Sequence, residues 1–176
     1  FGVKRITEIY GASESNVSFL NFFNKDYTIG TGIVATMLVE YDIDLDRIVL
    51  DDQGRPVKVA DGKTGLLLGR IDDKFLYDGY KNEEASSTKV LKNVKETGDR
   101  WFNTGDLIRR VDVGFAMGMP HYQFIDRVGD TFRWRSENVS TNEVSEILNA
   151  YPQIDMSNVY GVEIPGTEGR AGMAAI

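Results

Sequence analysis

Up to about residue 125 the apolar residues of this chain come in short runs, each closed by a cluster of turn formers. Runs this short suit strands, whereas a helix shows a 3.6-residue periodicity sustained over roughly ten residues or more. Lys4 to Tyr10 is apolar and β-leaning and runs into Gly11, a strand-to-loop signal. Val39-Glu40-Tyr41-Asp42-Ile43 and Arg47-Ile48-Val49-Leu50 read as strands. The turn-rich Asp51-Asp52-Gln53-Gly54-Arg55-Pro56 then predicts a hairpin into Val57-Lys58-Val59. Gly65-Leu66-Leu67-Leu68-Gly69 reads as a short buried strand, and Glu83 to Lys89 is the best helix candidate in this part.

The pattern changes after Asp126. Ser140-Thr141-Asn142-Glu143 is a capping box, in which the Ser140 hydroxyl accepts from the Glu143 amide and the Glu143 side chain reaches back. Val144, Ile147 and Leu148 follow at helical spacing, and Tyr151-Pro152 ends the helix. Asn158 to Ile164 reads as a strand with Ala171 to Ile176 as its partner. The fold class expected is therefore α+β, with a boundary between residues 126 and 131.

Composition narrows the function. Hydrophobic residues at 41% and charged residues at 27% are values of a chain that folds. Twenty basic against 27 acidic residues leave a net charge of −7, which argues against a partner that is nucleic acid. No apolar run is long enough to span a bilayer. With no cysteine and one histidine, His121, neither a thiolate site nor a multi-histidine metal centre has its ligands. Phe1-Gly2 follows no Met and no signal peptide, and Ala174-Ala175-Ile176 ends inside an expected strand, so an excerpt of a longer protein is expected.

Three segments carry candidate chemistry. Tyr10-Gly11-Ala12-Ser13-Glu14 combines a flat ring, a flexible turn, a hydroxyl and a carboxylate, which suits a base, a phosphate and Mg²⁺; taken alone it reads rather as a plain strand and turn. Trp101-Phe102-Asn103-Thr104-Gly105-Asp106-Leu107 predicts a turn that aims the Asp106 carboxylate outwards, suited to gripping a diol. Asp126-Arg127 adds a cation for a sugar or phosphate oxygen. The alternating acids of Asp42-Ile43-Asp44-Leu45-Asp46 lack the glycine and glutamate of a calcium loop, having Arg47 and Gln53 there, and read as one solvated strand face. Trp101, Phe102, Phe132 and Trp134 read as core. His121 reads as a surface or hydrogen-bonded histidine rather than a catalytic one, and Asp72-Asp73-Lys74 and Glu83-Glu84 as solvated charges.

Taken in order, Tyr10-Gly11-x-Ser13-Glu14, Asp78-Gly79-Tyr80, Thr104-Gly105-Asp106 and Asp126-Arg127 resemble the adenylate-forming acyl-CoA synthetase superfamily. Asp126-Arg127-Val128-Gly129-Asp130-Thr131-Phe132-Arg133-Trp134, followed by Glu137 to Val144, is similar to its fatty-acid transport protein/very-long-chain acyl-CoA synthetase branch. Asn158 to Val162 and Gly169 to Ala174 extend the resemblance over almost the whole chain.

The resemblance implies the strand-rich end of a large adenylation domain over residues 1–126, a hinge over 127–131, and the start of a small mobile C-terminal α/β domain over 132–176. It implies ATP, Mg²⁺ and CoA as cofactor and co-substrates and a fatty acid as substrate. Tyr10 matches the aromatic packed on adenine, with Gly11 beside it. Ser13 stands where a threonine usually contacts the α-phosphate, and Glu14 matches the Mg²⁺-associated glutamate. Asp106 matches the ribose-hydroxyl acceptor, Arg127 the second ribose contact, and Gly129 with Asp130 the hinge. Arg135-Ser136 stand where the family has Lys-Gly near the pantetheine tunnel. A phosphate loop is expected upstream of Phe1 and an adenylation lysine beyond Ile176. The implied activity is fatty acid–CoA ligation, in the cytoplasm or peripherally at the cytoplasmic face of a membrane. A carrier-protein-loading enzyme on the same scaffold, or a truncated nucleotide-binding or lipid-uptake module, are the alternatives.

Overall fold

The computed structural model describes residues 2, 6–11, 17–72, 89–135 and 137–176. In chain order its strands are β1 (Ile9–Gly11), β2 (Ser18–Leu20), β3 (Thr31–Gly32), β4 (Thr36–Val39), β5 (Tyr41–Asp42), β6 (Arg47–Ile48), β7 (Thr64–Ile71), β8 (Val90–Lys92), β9 (Arg100–Val111), β10 (His121–Arg127), β11 (Phe132–Trp134) and β12 (Glu137–Val139). Helix α1 (Thr141–Asn149) and strands β13 (Asn158–Glu163) and β14 (Arg170–Ala175) follow. The α+β expectation is borne out. Contacts divide the chain into two units, Phe1–Glu40 with Ile48–Phe124, and Tyr41–Arg47 with Ile125–Ile176.

The first unit holds an antiparallel sheet in the order β1-β2-β3 and a five-stranded sheet in the order β10-β9-β7-β4, with β8 also on β9. Strand β7 lies between β4 and β9, and its Leu66, Leu67 and Leu68 are all fully buried. A strand covered on both faces has no solvent side to alternate with, so it reads as a continuous apolar run. Leu67, Leu38 on β4, Ile108 on β9 and Phe19 on β2 form the core with Val17 and Ile29. Each such side chain contributes about 1.5–3 kcal/mol on burial.

In the second unit α1 begins as its sequence dictates: Ser140 stands at the N-cap and its hydroxyl accepts from the Glu143 amide at 3.2 Å. The expected apolar face is only half covered, with Val144 and Leu148 half-buried and Ile147 exposed. Antiparallel β13 and β14 bring Gly161 opposite Gly172, and the Phe132 ring lies on this pair. A Cβ on Gly161 would come within 2.6 Å of that ring, so the two glycines form the floor that buries Phe132.

Several sequence expectations are corrected. Of the expected Lys4–Tyr10 strand, Lys4 and Arg5 lie outside the described residues, Ile6 to Glu8 are not strand, and the strand runs from Ile9 to Gly11, so Gly11 lies inside it rather than in a loop. Val39–Ile43 is two strands broken at Glu40. Val57–Val59 forms no strand; an isolated bridge from Leu50 to Pro56 closes the Asp51 turn, and another joins Lys58 to Val39 at the end of β4. The acids Asp42, Asp44 and Asp46 share no strand face, because β5 turns into β6 across them. Asp42 Oδ1 accepts from the amides of Asp44 at 3.0 Å and Leu45 at 3.2 Å. An aspartate that can bond nearby amides favours a turn, and alternation alone does not separate that from a strand. The Glu83–Lys89 helix lies outside the described residues except for Lys89, a turn residue before β8. Trp101, Phe102 and Phe132 are core, as expected, while Trp134 is half-buried, with the Arg135 guanidinium 5.4 Å from its ring.

Candidate functional site

Strand β9 carries the first candidate residue through an irregularity in its pairing. Leu66 pairs with Leu107 and Leu68 with Asn103, so the single residue Leu67 faces the three residues Thr104, Gly105 and Asp106. The expected Thr-Gly-Asp turn is thus a bulge within one long strand. Its side chains hold it in place. Thr104 Oγ1 donates to the Leu67 carbonyl at 2.9 Å and accepts from the Asp106 amide at 3.0 Å. Asn103 Oδ1 accepts from the Gly105 amide at 2.9 Å. Gly105 sits at φ +77°, a conformation that glycine adopts without the Cβ penalty of other residues.

The bulge changes where the Asp106 side chain goes. The sequence predicts a carboxylate aimed outwards; Asp106 is only 3% exposed and accepts a hydrogen bond from the Tyr10 hydroxyl. Tyr10, on β1, is half-buried. Its ring meets Phe19 edge-on with centroids 5.6 Å apart and lies 6.3 Å from Phe124. Two of the expected site residues, far apart in sequence, are therefore in direct contact. An aromatic ring and a carboxylate held side by side offer a stacking surface next to an acceptor for hydroxyl groups.

Arg127, Gly129 and Asp130 belong to the second unit. Arg127 is exposed at the end of β10, and its carbonyl accepts from the amides of Asp130 at 3.1 Å and Thr131 at 3.3 Å. That closes a turn through Gly129 at φ +96°. The residue before it has a role the sequence reading missed. Asp126 is 4% exposed, and its carboxylate accepts from the amides of Arg127 at 2.9 Å and Thr141 at 2.7 Å. Ser140 Oγ also donates to the Ile125 carbonyl at 3.1 Å. The start of α1 is thereby tied to the end of β10, and a carboxylate at a helix N-terminus also favours the helix dipole. The sequence carries no local signal for this, since Asp126 lies a whole hairpin before the helix it caps.

Ser13, Glu14, Asp78, Gly79, Tyr80 and Ser136 lie outside the described residues. Among the described residues no three His, Cys, Asp or Glu side chains could hold a metal ion, and no helix is long and apolar enough to cross a membrane.

No family model matches the chain. It is 46% identical over 176 residues to the medium/long-chain-fatty-acid–CoA ligase FadD6 of Mycobacterium tuberculosis, covering all of this chain and 28% of that one. It is 40% identical over 183 residues to long-chain fatty acid transport protein 5 of Mus musculus, of which it covers 26%. The resemblance read from the motifs therefore holds along the whole chain. This chain spans little more than a quarter of the length of these relatives. Among solved structures, the anthranilate CoA ligase AuaEII in complex with anthranoyl-AMP superposes with a TM-score of 0.63 at 21% identity, over 96% of this chain and 28% of that one. ATP-bound MatB from Rhodopseudomonas palustris does so with a TM-score of 0.66 at 19% identity, over 96% and 29%. The two structures share this chain's fold.

Proposed function

We propose that this chain is a segment of a long- or very-long-chain fatty acid–CoA ligase. Residues 1–126 are the end of its adenylation domain, 127–131 its hinge, and 132–176 the start of its mobile C-terminal domain. The observation that carries this reading is the whole-length similarity to a fatty acid–CoA ligase, together with the contact between Tyr10 and Asp106. Fatty acid, ATP and CoA are the substrates. The fatty acid carboxylate attacks the α-phosphorus of ATP, pyrophosphate leaves, and the CoA thiolate then displaces AMP from the acyl-adenylate.

In this reading adenine stacks on Tyr10, beside Gly11, and the ribose hydroxyls donate to Asp106. The Tyr10 hydroxyl fixes the rotamer of that carboxylate before substrate arrives, and a carboxylate has acceptor capacity beyond one such bond. Ser13 is assigned the α-phosphate and Arg127 the second ribose contact. Mg²⁺, when bound, neutralises charge on the phosphates. Glu14 is its assigned protein ligand. A cation held through one carboxylate takes its other ligands from phosphate and water. Gly129 and Asp130 form the pivot, supported by the positive φ of Gly129 and by the contact boundary between Phe124 and Ile125. Similarity to the fatty acid transport proteins supports a cytoplasmic protein or one held peripherally at the cytoplasmic face of a membrane.

The test is fatty-acid-dependent exchange of pyrophosphate into ATP by the full-length protein, with CoA or a carrier-protein thiol offered as acceptor. Thioester should form on CoA. Asp106→Ala should raise the KM for ATP by about tenfold or more and lower turnover, and Tyr10→Phe, which keeps the ring, should raise it by a few-fold. A folded Asp106→Ala protein with unchanged adenylation kinetics would remove the role assigned to Asp106.

A further inference from the structure

The proposed hinge over residues 127–131 and the contact boundary do not coincide. Contacts place Ile125 and Asp126 in the second unit, although both stand before the hinge. Hydrogen bonds account for the offset. The Asp126 carboxylate accepts from the Thr141 amide at 2.7 Å and from the Thr141 hydroxyl at 3.2 Å. One residue back, the Ile125 carbonyl accepts from Ser140 Oγ at 3.1 Å. Asp126 and Ser140 are both buried. The residues just before the hinge are thus bonded to the residues that open α1, the first helix after it.

These bonds do not survive the motion assigned to the hinge. When residues 132–176 turn about 127–131, Ser140 and Thr141 go with them. Ile125 and Asp126 stay at the end of β10, which is paired with β9. A hydrogen bond weakens steeply once its heavy atoms part beyond about 3.2 Å, so a shift of about 1 Å at Thr141 is enough to break it. The bonds inside the hinge turn are of another kind. The Asp130 and Thr131 amides both donate to the Arg127 carbonyl, and neither reaches α1.

We propose that Ile125 and Asp126 form with Ser140 and Thr141 a tether across the hinge, made in one position of residues 132–176 and broken in the other. It rests on the ligase reading above and adds a control to it. A bond present in one state only shifts the balance of the two states by its own free energy. The tether therefore sets how the enzyme divides its time between forming the acyl-adenylate and passing the acyl group to CoA. Asp126 and Ser140 act here as positioning residues.

The experiment follows hydrogen exchange at the start of α1 in the full-length protein under two conditions. One uses α,β-methylene-ATP, which halts the enzyme before adenylation. The other uses a long-chain acyl-sulfamoyl adenosine with CoA, which halts it before transfer. The Thr141 amide should be protected under one condition and exchange about tenfold faster or more under the other. The two half-reactions are then timed separately in variants. Ser140→Ala and Asp126→Asn should shift the ratio of their rates in the same direction, by about fivefold or more. Ser140→Thr, which keeps the hydroxyl, should restore the parent ratio. Two results would overturn the tether in a working ligase. Equal protection of Thr141 under both conditions would mean that the bonds outlast the swing and that the domain turns about a point before Ile125. Variants that melt lower yet keep the parent ratio would mean a helix cap and nothing more. A parent protein that runs neither half-reaction would instead overturn the ligase reading, and the tether with it.

Discussion

Tyr10 and Asp106 lie 96 positions apart and touch through a hydrogen bond. Each residue was identifiable from the sequence by its type and its neighbours, but the pairing was not. It depends on the bulge turning the Asp106 side chain inwards, and the bulge depends on Thr104 and Asn103 bonding backbone groups within reach. Gly129 is the opposite case: the sequence places a boundary at Arg127-Val128-Gly129-Asp130, and a local turn stands there with Gly129 at φ +96°. A Cβ there meets nothing within 4 Å, so Gly129→Ala should cost only the conformational strain, about 1 kcal/mol. Thermal melts read that cost, and separate assays of the two proposed half-reactions in the full-length protein test the proposed pivot. Slower thioester formation with adenylation unchanged is expected. Both half-reactions unchanged would withdraw Gly129 as a pivot.

At the level of elements, the start of α1 combines a local cap with a distant one. Ser140→Ala should cost about 1 kcal/mol, the usual loss of an N-cap hydroxyl. Asp126→Ala should cost more, about 2 kcal/mol, because it removes a buried charged acceptor from the Thr141 and Arg127 amides. Urea melts of both variants give the comparison, and equal losses would mean that Asp126 adds nothing to the cap. The turn from β8 to β9 has a similar hub. Asp99 accepts from the amides of Val94, Lys95 and Glu96 and from Trp101 Nε1, at 2.7 to 3.0 Å. Burial pushes its carboxyl up, but the bonds from Trp101, Glu96, Lys95 and Val94 outweigh that and hold it below the ordinary range. A carboxyl depressed in the folded state stabilises fully above its unfolded pKa, about 3.9, and less as pH falls through the folded value. Asp99→Asn should therefore lower the melting temperature at pH 7, and the gap to the parent protein should narrow below about pH 4. A gap that stays constant down to pH 2 would show that the charge of Asp99 contributes nothing.

At the scale of the whole molecule, the two units draw on different residues for their interiors. The first is centred on Phe19, Leu38, Leu67 and Ile108, the second on Phe132 over Gly161 and Gly172. Leu67→Ala should cost about 3 kcal/mol in the first. Gly161→Ala, whose Cβ would overlap Phe132, should cost about 2 kcal/mol in the second. Hydrogen exchange should show Leu67→Ala loosening amides of β7 and β9, and Gly161→Ala loosening those of β11, β13 and β14. Uniform loosening in both variants would mean that the units open together. By itself the sequence determined what short-range chemistry decides: strand-rich packing up to residue 125, the change of pattern near Gly129, and the helix start at Ser140. Those signals lie within a few residues of one another, so local sterics and hydrogen bonding suffice to fix them. Only the tertiary structure decided that Asp106 is buried against Tyr10, that Asp126 caps a helix fifteen residues on, and that His121 is buried. Those outcomes depend on which strands pair and in what register, a choice made by the packing of the assembled chain rather than by any one segment.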